Sequence, residues 1–168
     1  NIYNAKKEYQ KVVGDIFEDD ESFDTHMSIF VEWYAFDRIL DDAMITPFMD
    51  FVEKNKERFS PNTQKIYNDL GRNIHGIFVA KKIKSSYVTV LNLFDKSKHE
   101  VQEKQSKIIF RKNDIFEGRI VPYQGQKFFT GNFCFHPQKA LSVIKLGINQ
   151  LLKDQQKTKE ELKRLERE

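Results

Sequence analysis

The sequence predicts an α+β fold, in which N-terminal helices pack on a five-stranded antiparallel, barrel-like sheet of the OB or SH3 kind and a long C-terminal helix follows. Apolar residues recur at helical spacing up to Gly71, change to a strand-like pattern after Gly76, and return to helical spacing after Pro137. A length of 168 residues fits one domain. We expect one folding unit in three parts, residues 1–75, 76–136 and 137–168, with the distal half of the last part exposed.

The composition excludes several classes of protein. A chain that is 39% apolar and 13% aromatic can bury a core and is not disordered as a whole. No run approaches 18 apolar residues, which excludes an integral membrane protein. One cysteine, Cys134, and four scattered histidines make neither an internal disulfide nor a metal site, so we expect no cofactor. No secretion signal occurs at the start, so we expect a cytoplasmic location.

Four N-terminal helices are predicted from spacing and start signals. The first covers residues 2–13, and the second, from Phe23 to about Leu40, has an aromatic face. Thr46-Pro47 and Ser60-Pro61 predict the third and fourth, because a Ser or Thr hydroxyl accepts a free backbone N–H and proline at the first helical position loses no hydrogen bond.

The middle of the chain predicts about five short strands with tight connections. Such a small sheet buries its unpaired edges best by curling, which favours a barrel. Gly118 and Gly131 fall inside predicted strands and mark bends or bulges. The strand-like runs cover residues 77–83, 87–91, 107–110, 114–123 and 126–135, with a further short run that begins at Val101.

The C-terminal helix carries a seam of positions spaced alternately by three and four residues. An unbroken helix over residues 138–168 is roughly 45 Å long. Its distal half has only Leu162 and Leu165 as apolar anchors, so we expect these two leucines to bind a protein partner or a second copy of the chain. The seam consists of Leu141, Ile144, Ile148, Leu151, Gln155, Thr158, Leu162 and Leu165.

Charge is distributed unevenly along the chain. Residues 1–60 contain 7 Lys and Arg against 14 Asp and Glu, and residues 61–168 contain 21 against 11. A basic surface on the β part can bind single-stranded nucleic acid, preferentially RNA, by stacking bases on aromatic rings along a positive groove. Alternatively, the aromatic residues belong to the core, and the Lys and Arg residues point outward only because strand residues alternate between faces. The predicted contacts are Lys82, Lys84, Lys107, Arg111, Lys112, Arg119 and Lys127.

Catalysis has no positive signal in the sequence. There is no phosphate-binding glycine loop, no G-x-S-x-G and no H-E-x-x-H. Cys134 and His136 lie two apart in a predicted strand and so share a face, where a thiolate and an imidazole could form a nucleophile. The flanking Phe133 and Phe135 instead favour a buried, inert thiol. We expect no catalytic residue and no small-molecule substrate.

Several strings resemble, as a set, a family of uncharacterised bacterial proteins. In that family an E-W-Y-x-x-D-R helix precedes a small β-domain with a G-D-I/L-x-x-A/G-R-L/I-V-P-like strand. The resemblance covers residues 3–145 and implies that the helical front and the β part form one recurrent unit; it implies no activity. The matching strings lie at residues 18–20, 30–38, 46–48, 114–122 and 133–137.

The sequence therefore predicts a non-enzymatic binding module. Protein–protein interaction through the C-terminal helix is the first hypothesis, because of the exposed seam. Single-stranded nucleic-acid binding by the β part is the alternative. A membrane partner is not expected.

Overall fold

The computed structural model of the chain describes residues 2–15, 17–19, 21–40 and 44–165, with side chains as far as residue 160. The predicted α+β class and the long C-terminal helix are confirmed. The described residues form six α-helices and one six-stranded mixed sheet. The helices are α1 (Ile2–Val13), α2 (Phe23–Phe36), α3 (Pro47–Asn55), α4 (Pro61–Gly71), α5 (Ser106–Ile109) and α6 (Leu141–Leu165). The strands are β1 (Ile74–Ile83), β2 (Tyr87–Asn92), β3 (Lys98–Gln102), β4 (Ile115–Tyr123), β5 (Gln126–Phe129) and β6 (Cys134–His136).

The chain divides into two compact units. One contains residues 1–73 and 121–125, and is called the helical unit below. The other contains residues 74–120 and 126–168, and is called the sheet unit. Among the described helices, α6 is the longest, and none has an apolar stretch sufficient to cross a bilayer.

The predicted starts of α3 and α4 are confirmed by their hydrogen bonds. The Thr46 hydroxyl accepts the backbone N–H of Met49 at 3.3 Å. The Ser60 hydroxyl accepts that of Thr63 at 3.2 Å. In both helices proline follows the capping residue, as the sequence pattern requires.

The sheet differs from the predicted five-stranded antiparallel barrel. Its strand order is β1-β2-β3-β5-β4-β6, and β1 also pairs with β4. The pairing of β3 with β5 is parallel and is registered at Gln102 opposite Phe128. The sheet is therefore mixed, has a sixth strand, and is not a clean barrel. Residue periodicity identifies a strand but not its neighbours, because pairing depends on how the connections run.

Two predicted strands are wrong. Residues 106–109 form the helical turn α5, in which the N–H of Phe110 donates to the carbonyl of Ser106 at 2.9 Å. A run of three apolar residues fits a strand or a helix equally well, and here Ile108 is exposed while Phe110 is buried. The predicted strand over residues 126–135 is split into β5 and β6, and Gly131 between them has φ +94°, a backbone conformation that favours glycine.

The sheet unit encloses two apolar clusters, one on each face of the sheet. The larger is built around Phe78, Phe110 and Phe116, with valines from β2 and β3. The smaller joins Val79 and Ile115 to residues of α6. Alternation along β1 and β4 explains this division, because neighbouring residues of a strand point to opposite faces.

Candidate functional site

The proximal part of α6 is anchored on the sheet. Leu141, Ile144 and Ile148 pack against the cluster that contains Val79 and Ile115. These three residues are the first members of the predicted seam. The seam is thus used inside the sheet unit over its first two helical turns, which holds the start of α6 in place.

The distal part of α6 is exposed. Residues 149–160 are all exposed, and Leu151, the fourth seam position, keeps 56% of its surface accessible. The helix continues through Leu162 and Leu165. The side chains of these two predicted contacts lie outside the described residues. An apolar seam of the helix therefore passes from a packed stretch into an exposed one after Ile148.

Five of the seven predicted nucleic-acid contacts are exposed and lie on neighbouring segments. The Ser106 hydroxyl donates to the carbonyl of Lys84, which holds α5 against the β1–β2 turn. The backbone N–H of Asn113 donates to the carbonyl of Ala80 at 2.8 Å, and that of Ala80 to the carbonyl of Asp114 at 2.9 Å. The loop after α5 is thereby tied to β1. The five exposed residues are Lys82, Lys84, Lys107, Arg111 and Lys112.

The other two predicted contacts are placed differently. Arg119 is only 1% exposed, so as a surface contact it is a wrong prediction. It lies on β4 opposite His75 of β1, and alternation along β4 sends its side chain to the face away from Phe116 and Ile120. Lys127 is half-buried, with its Nζ 2.9 Å from Nδ1 of His99. Its ammonium group is therefore already bound within the protein.

A groove of about 460 Å³ lies where the parallel pair β3 and β5 meets the β1–β2 turn. Its lining includes Phe128, which is half-buried, and the neighbouring Phe129. Three amide side chains and a pair of opposite charges share the wall. The other lining residues are Ser86, Gln102, Glu103, Lys104, Gln105 and Gln126.

Hydrogen bonds fix the wall of this groove. The backbone N–H of Glu103 donates to the carbonyl of Ser86 at 2.8 Å. The Glu103 carboxylate accepts the backbone N–H of Gln105 at 2.9 Å. The first bond joins the turn before β2 to the segment after β3, and the second holds the loop that follows β3, so the protein's own groups shape the groove.

A chain of hydrogen bonds runs from Lys127 to Asp95. An ammonium group can only donate, so Nδ1 of His99 accepts from Lys127 and its Nε2 donates to the Ser97 hydroxyl at 2.7 Å. That hydroxyl donates to the Asp95 carboxylate at 2.6 Å. Burial, with the positive charge of Lys127, holds the pKa of His99 below its usual value. The hydrogen bonds from Ser97 lower the pKa of Asp95. The chain ties the β2–β3 turn to β5.

Cys134 and His136 lie beside Glu117 on β4, which pairs directly with Cys134. Burial, and secondarily the Glu117 carboxylate, raise the pKa of the Cys134 thiol, which disfavours a thiolate nucleophile. Oε1 of Glu117 is 2.8 Å from Nε2 of His75, and this hydrogen bond lowers the pKa of Glu117. Within the described ranges, no cluster of three or more His, Cys, Asp or Glu side chains suited to a metal ion is found.

Comparison with known proteins matches residues 2–167 to a family described as "Family of unknown function (DUF7986)". The chain belongs to this family. No curated protein and no solved structure matches it.

In this DUF7986 chain, two features were not predicted from the sequence. The groove brings Gln126 next to Gln102 and Gln105, which lie more than 20 residues earlier in the sequence. The hydrogen-bond chain from Asp95 to Lys127 joins the β2–β3 turn to β5, and Lys127 lies 28 residues beyond His99. Asp95 and Ser97 were a weak local signal, since an Asp side chain in a turn often accepts the backbone N–H two residues on. Nothing local pointed to Lys127 as their partner.

Proposed function

We propose that this chain is a non-enzymatic, cytoplasmic binding module that associates with a protein helix through the distal part of α6. The observation that carries the proposal is the uninterrupted exposure of residues 149–160 in a helix whose proximal turns are packed. The first partner to be tested is a second copy of this chain.

The energetics of an isolated helix support this proposal. A helix of about 12–15 residues without packing is marginally stable in water. Pairing along the seam would cover Leu151 and the predicted contacts Leu162 and Leu165, each worth about 1.5–3 kcal/mol when fully buried. Gln155 and Thr158, in the middle of the seam, would fix the register of the pair, as polar residues at such positions do in coiled coils.

Light scattering coupled to size-exclusion chromatography tests the proposal on the full chain over a dilution series. We expect a concentration-dependent dimer that is lost in Leu151→Ser and in a chain that ends at Lys153. Leu146→Ser is the matched control, because Leu146 is 72% exposed on the same helix and lies off the seam. Neither substitution touches a buried residue.

Two results would contradict this proposal. One is a full chain that stays monomeric and retrieves the same proteins as the chain ending at Lys153. The other is an equal effect of Leu146→Ser and Leu151→Ser, since only the second changes the seam.

Binding of a single-stranded nucleic acid by the sheet unit is a second candidate, favoured by the strand order. The order β1-β2-β3-β5-β4 with a return from β4 to β1, and a helix between β3 and β4, matches the connectivity of an OB-fold. We infer that the sheet is barrel-like in this sense. OB-folds bind oligonucleotides and oligosaccharides near the face of strands 2 and 3.

The exposed Lys and Arg side chains around the β1–β2 turn and α5 support the same candidate. Phosphate contacts by Lys and Arg release counterions, so such binding weakens steeply as salt is raised. Anisotropy of a labelled single-stranded RNA at two salt concentrations tests it. We expect salt-sensitive binding that falls in the triple variant with glutamine at Lys84, Lys107 and Lys112. The control has glutamine at Lys153, Lys157 and Lys159 of α6, which removes the same charge elsewhere. Absence of binding at low salt would contradict the candidate.

A further inference from the structure

We propose that the groove between β3 and β5 binds one unpaired nucleotide of a single-stranded nucleic acid, with its base against Phe128. This inference rests on the second candidate function above and adds the place where a base is held. Shape, hydrogen-bonding capacity and charge each support it.

Phe128 contributes an aromatic side chain to the lining of the groove. Along β5, Phe129 packs onto the larger apolar cluster and Lys127 bonds to His99, so Phe128 points to the opposite side of the strand. It is half-buried and lines a groove of about 460 Å³, enough for a ring. Stacking on such a side chain accepts every base, because each base has a π-face.

The amides of the wall can bond to the edge of a base. Gln102, Gln105 and Gln126 each carry a donor and an acceptor, so they can match either kind of group. No side-chain hydrogen bond joins these three amides to any residue in the described ranges. A base in the groove would therefore not have to displace an existing bond of theirs.

Charge at the groove favours a nucleotide over a neutral sugar. Lys104 lines the groove, and the exposed Lys84 and Lys107 lie on the two segments that the Ser106 hydroxyl holds together. The carboxylate of Glu103 is bound to a backbone N–H of its own wall. The lining itself holds one positive and one negative charge, and the two further lysines on these segments make the surroundings positive, which suits a phosphate next to a stacked ring.

A pair of labelled strands of equal length separates base binding from phosphate binding. One is a single-stranded DNA with bases, and the other carries the same phosphates on abasic sugars. By anisotropy at low salt, we expect the full chain to prefer the strand with bases by at least about five-fold, the lower end for one stacked base. Phe128→Leu should abolish this preference and keep the binding of the abasic strand.

Phe135→Leu is the control, because Phe135 is an exposed aromatic residue of β6 outside the groove and should leave the preference intact. If Phe128→Leu unfolds by circular dichroism, Gln105→Ala, an exposed loop change, must reduce the preference instead. Equal, salt-sensitive binding of both strands by the unchanged protein would overturn the inference and leave the second candidate function standing. Displacement of the DNA by an uncharged oligosaccharide would overturn it too. Failure to bind either strand would remove both.

Discussion

The two compact units bury their apolar residues in different ways. In the sheet unit, side chains from β1 to β4 and α5 form a fully enclosed cluster around Phe116, which is 0% exposed. Among the described residues of the helical unit, Ala5 and Phe30 alone are buried apolar residues, and α3 and α4 contain none. Its aromatic rings touch one another while half-exposed, as Phe48 and Tyr67 do at 6.1 Å between ring centres.

The two units are therefore specified by different kinds of interaction. The helical unit is specified by local signals, namely caps and helical spacing, with little enclosed core to add to them. The sheet unit is specified by pairing and packing between distant segments, which stabilise one another only together. We therefore expect local opening to cost less free energy in the helical unit than in the sheet unit.

The largest expected effect comes from removing the centre of the enclosed cluster. Phe116→Ala should lower the free energy of unfolding by about 3–5 kcal/mol. The Phe116 ring contacts those of Phe78, Phe110 and Phe129, and its removal leaves a cavity between them. Phe51→Ala in the helical unit should cost about 1 kcal/mol, since Phe51 is 47% exposed. Urea unfolding measures both. Equal losses would refute the contrast between the units.

A smaller effect is expected from a helix cap. Thr46→Ala should cost about 1 kcal/mol, because the N–H of Met49 loses its acceptor. The single tryptophan, Trp33, lies on α2, so its fluorescence during urea unfolding reports on the helical unit. Thr46→Ser keeps the hydroxyl and should be close to unchanged. A Thr46→Ala chain as stable as the natural one would show that this cap does not specify α3.

The smallest change in stability is expected from pH, acting on the hydrogen-bond chain between Lys127 and Asp95. His99 has a lowered pKa in the folded state, so the unfolded chain binds the proton more readily. The contribution of neutral His99 to folding stability is fully present at a pH above its unfolded pKa of about 6.5. It is lost as the pH falls through that pKa toward the lower pKa of the folded state. Urea midpoints at about pH 7.5 and about pH 5.5 should differ, with less stability at the lower pH. In His99→Gln the difference should shrink, and an undiminished difference would assign it to other groups.

The helices were the most predictable part of the fold. Thr46-Pro47 and Ser60-Pro61 place helix starts by chemistry that acts within three residues, so no knowledge of distant segments is needed. The run at residues 107–110 was not predictable in this way, because three apolar residues fit a helix or a strand. The split between β5 and β6 depended on Gly131, whose positive φ became visible only in the structure.

The candidate surfaces were predictable in part. The exposure of the Lys and Arg residues near the β1–β2 turn and α5 is predictable from strand alternation and from the polar composition of the loops. The burial of Arg119 does not, because nothing in its neighbours along the chain reports what covers it. The groove was missed because Gln126 comes from a different segment than Gln102 and Gln105, and only the parallel pairing of β3 with β5 brings the two segments together.

Four properties follow from the sequence without any knowledge of the fold: the α+β class, the helix caps, the long C-terminal helix and the charge difference between the parts of the chain. These properties depend on spacing and chemistry within a few residues. The tertiary structure decided the strand order, the parallel pair, the point after Ile148 where α6 becomes exposed, and the partners of Lys127. The reason is physical: these features depend on contacts between distant segments, whose energies are set only once the chain has closed around its core.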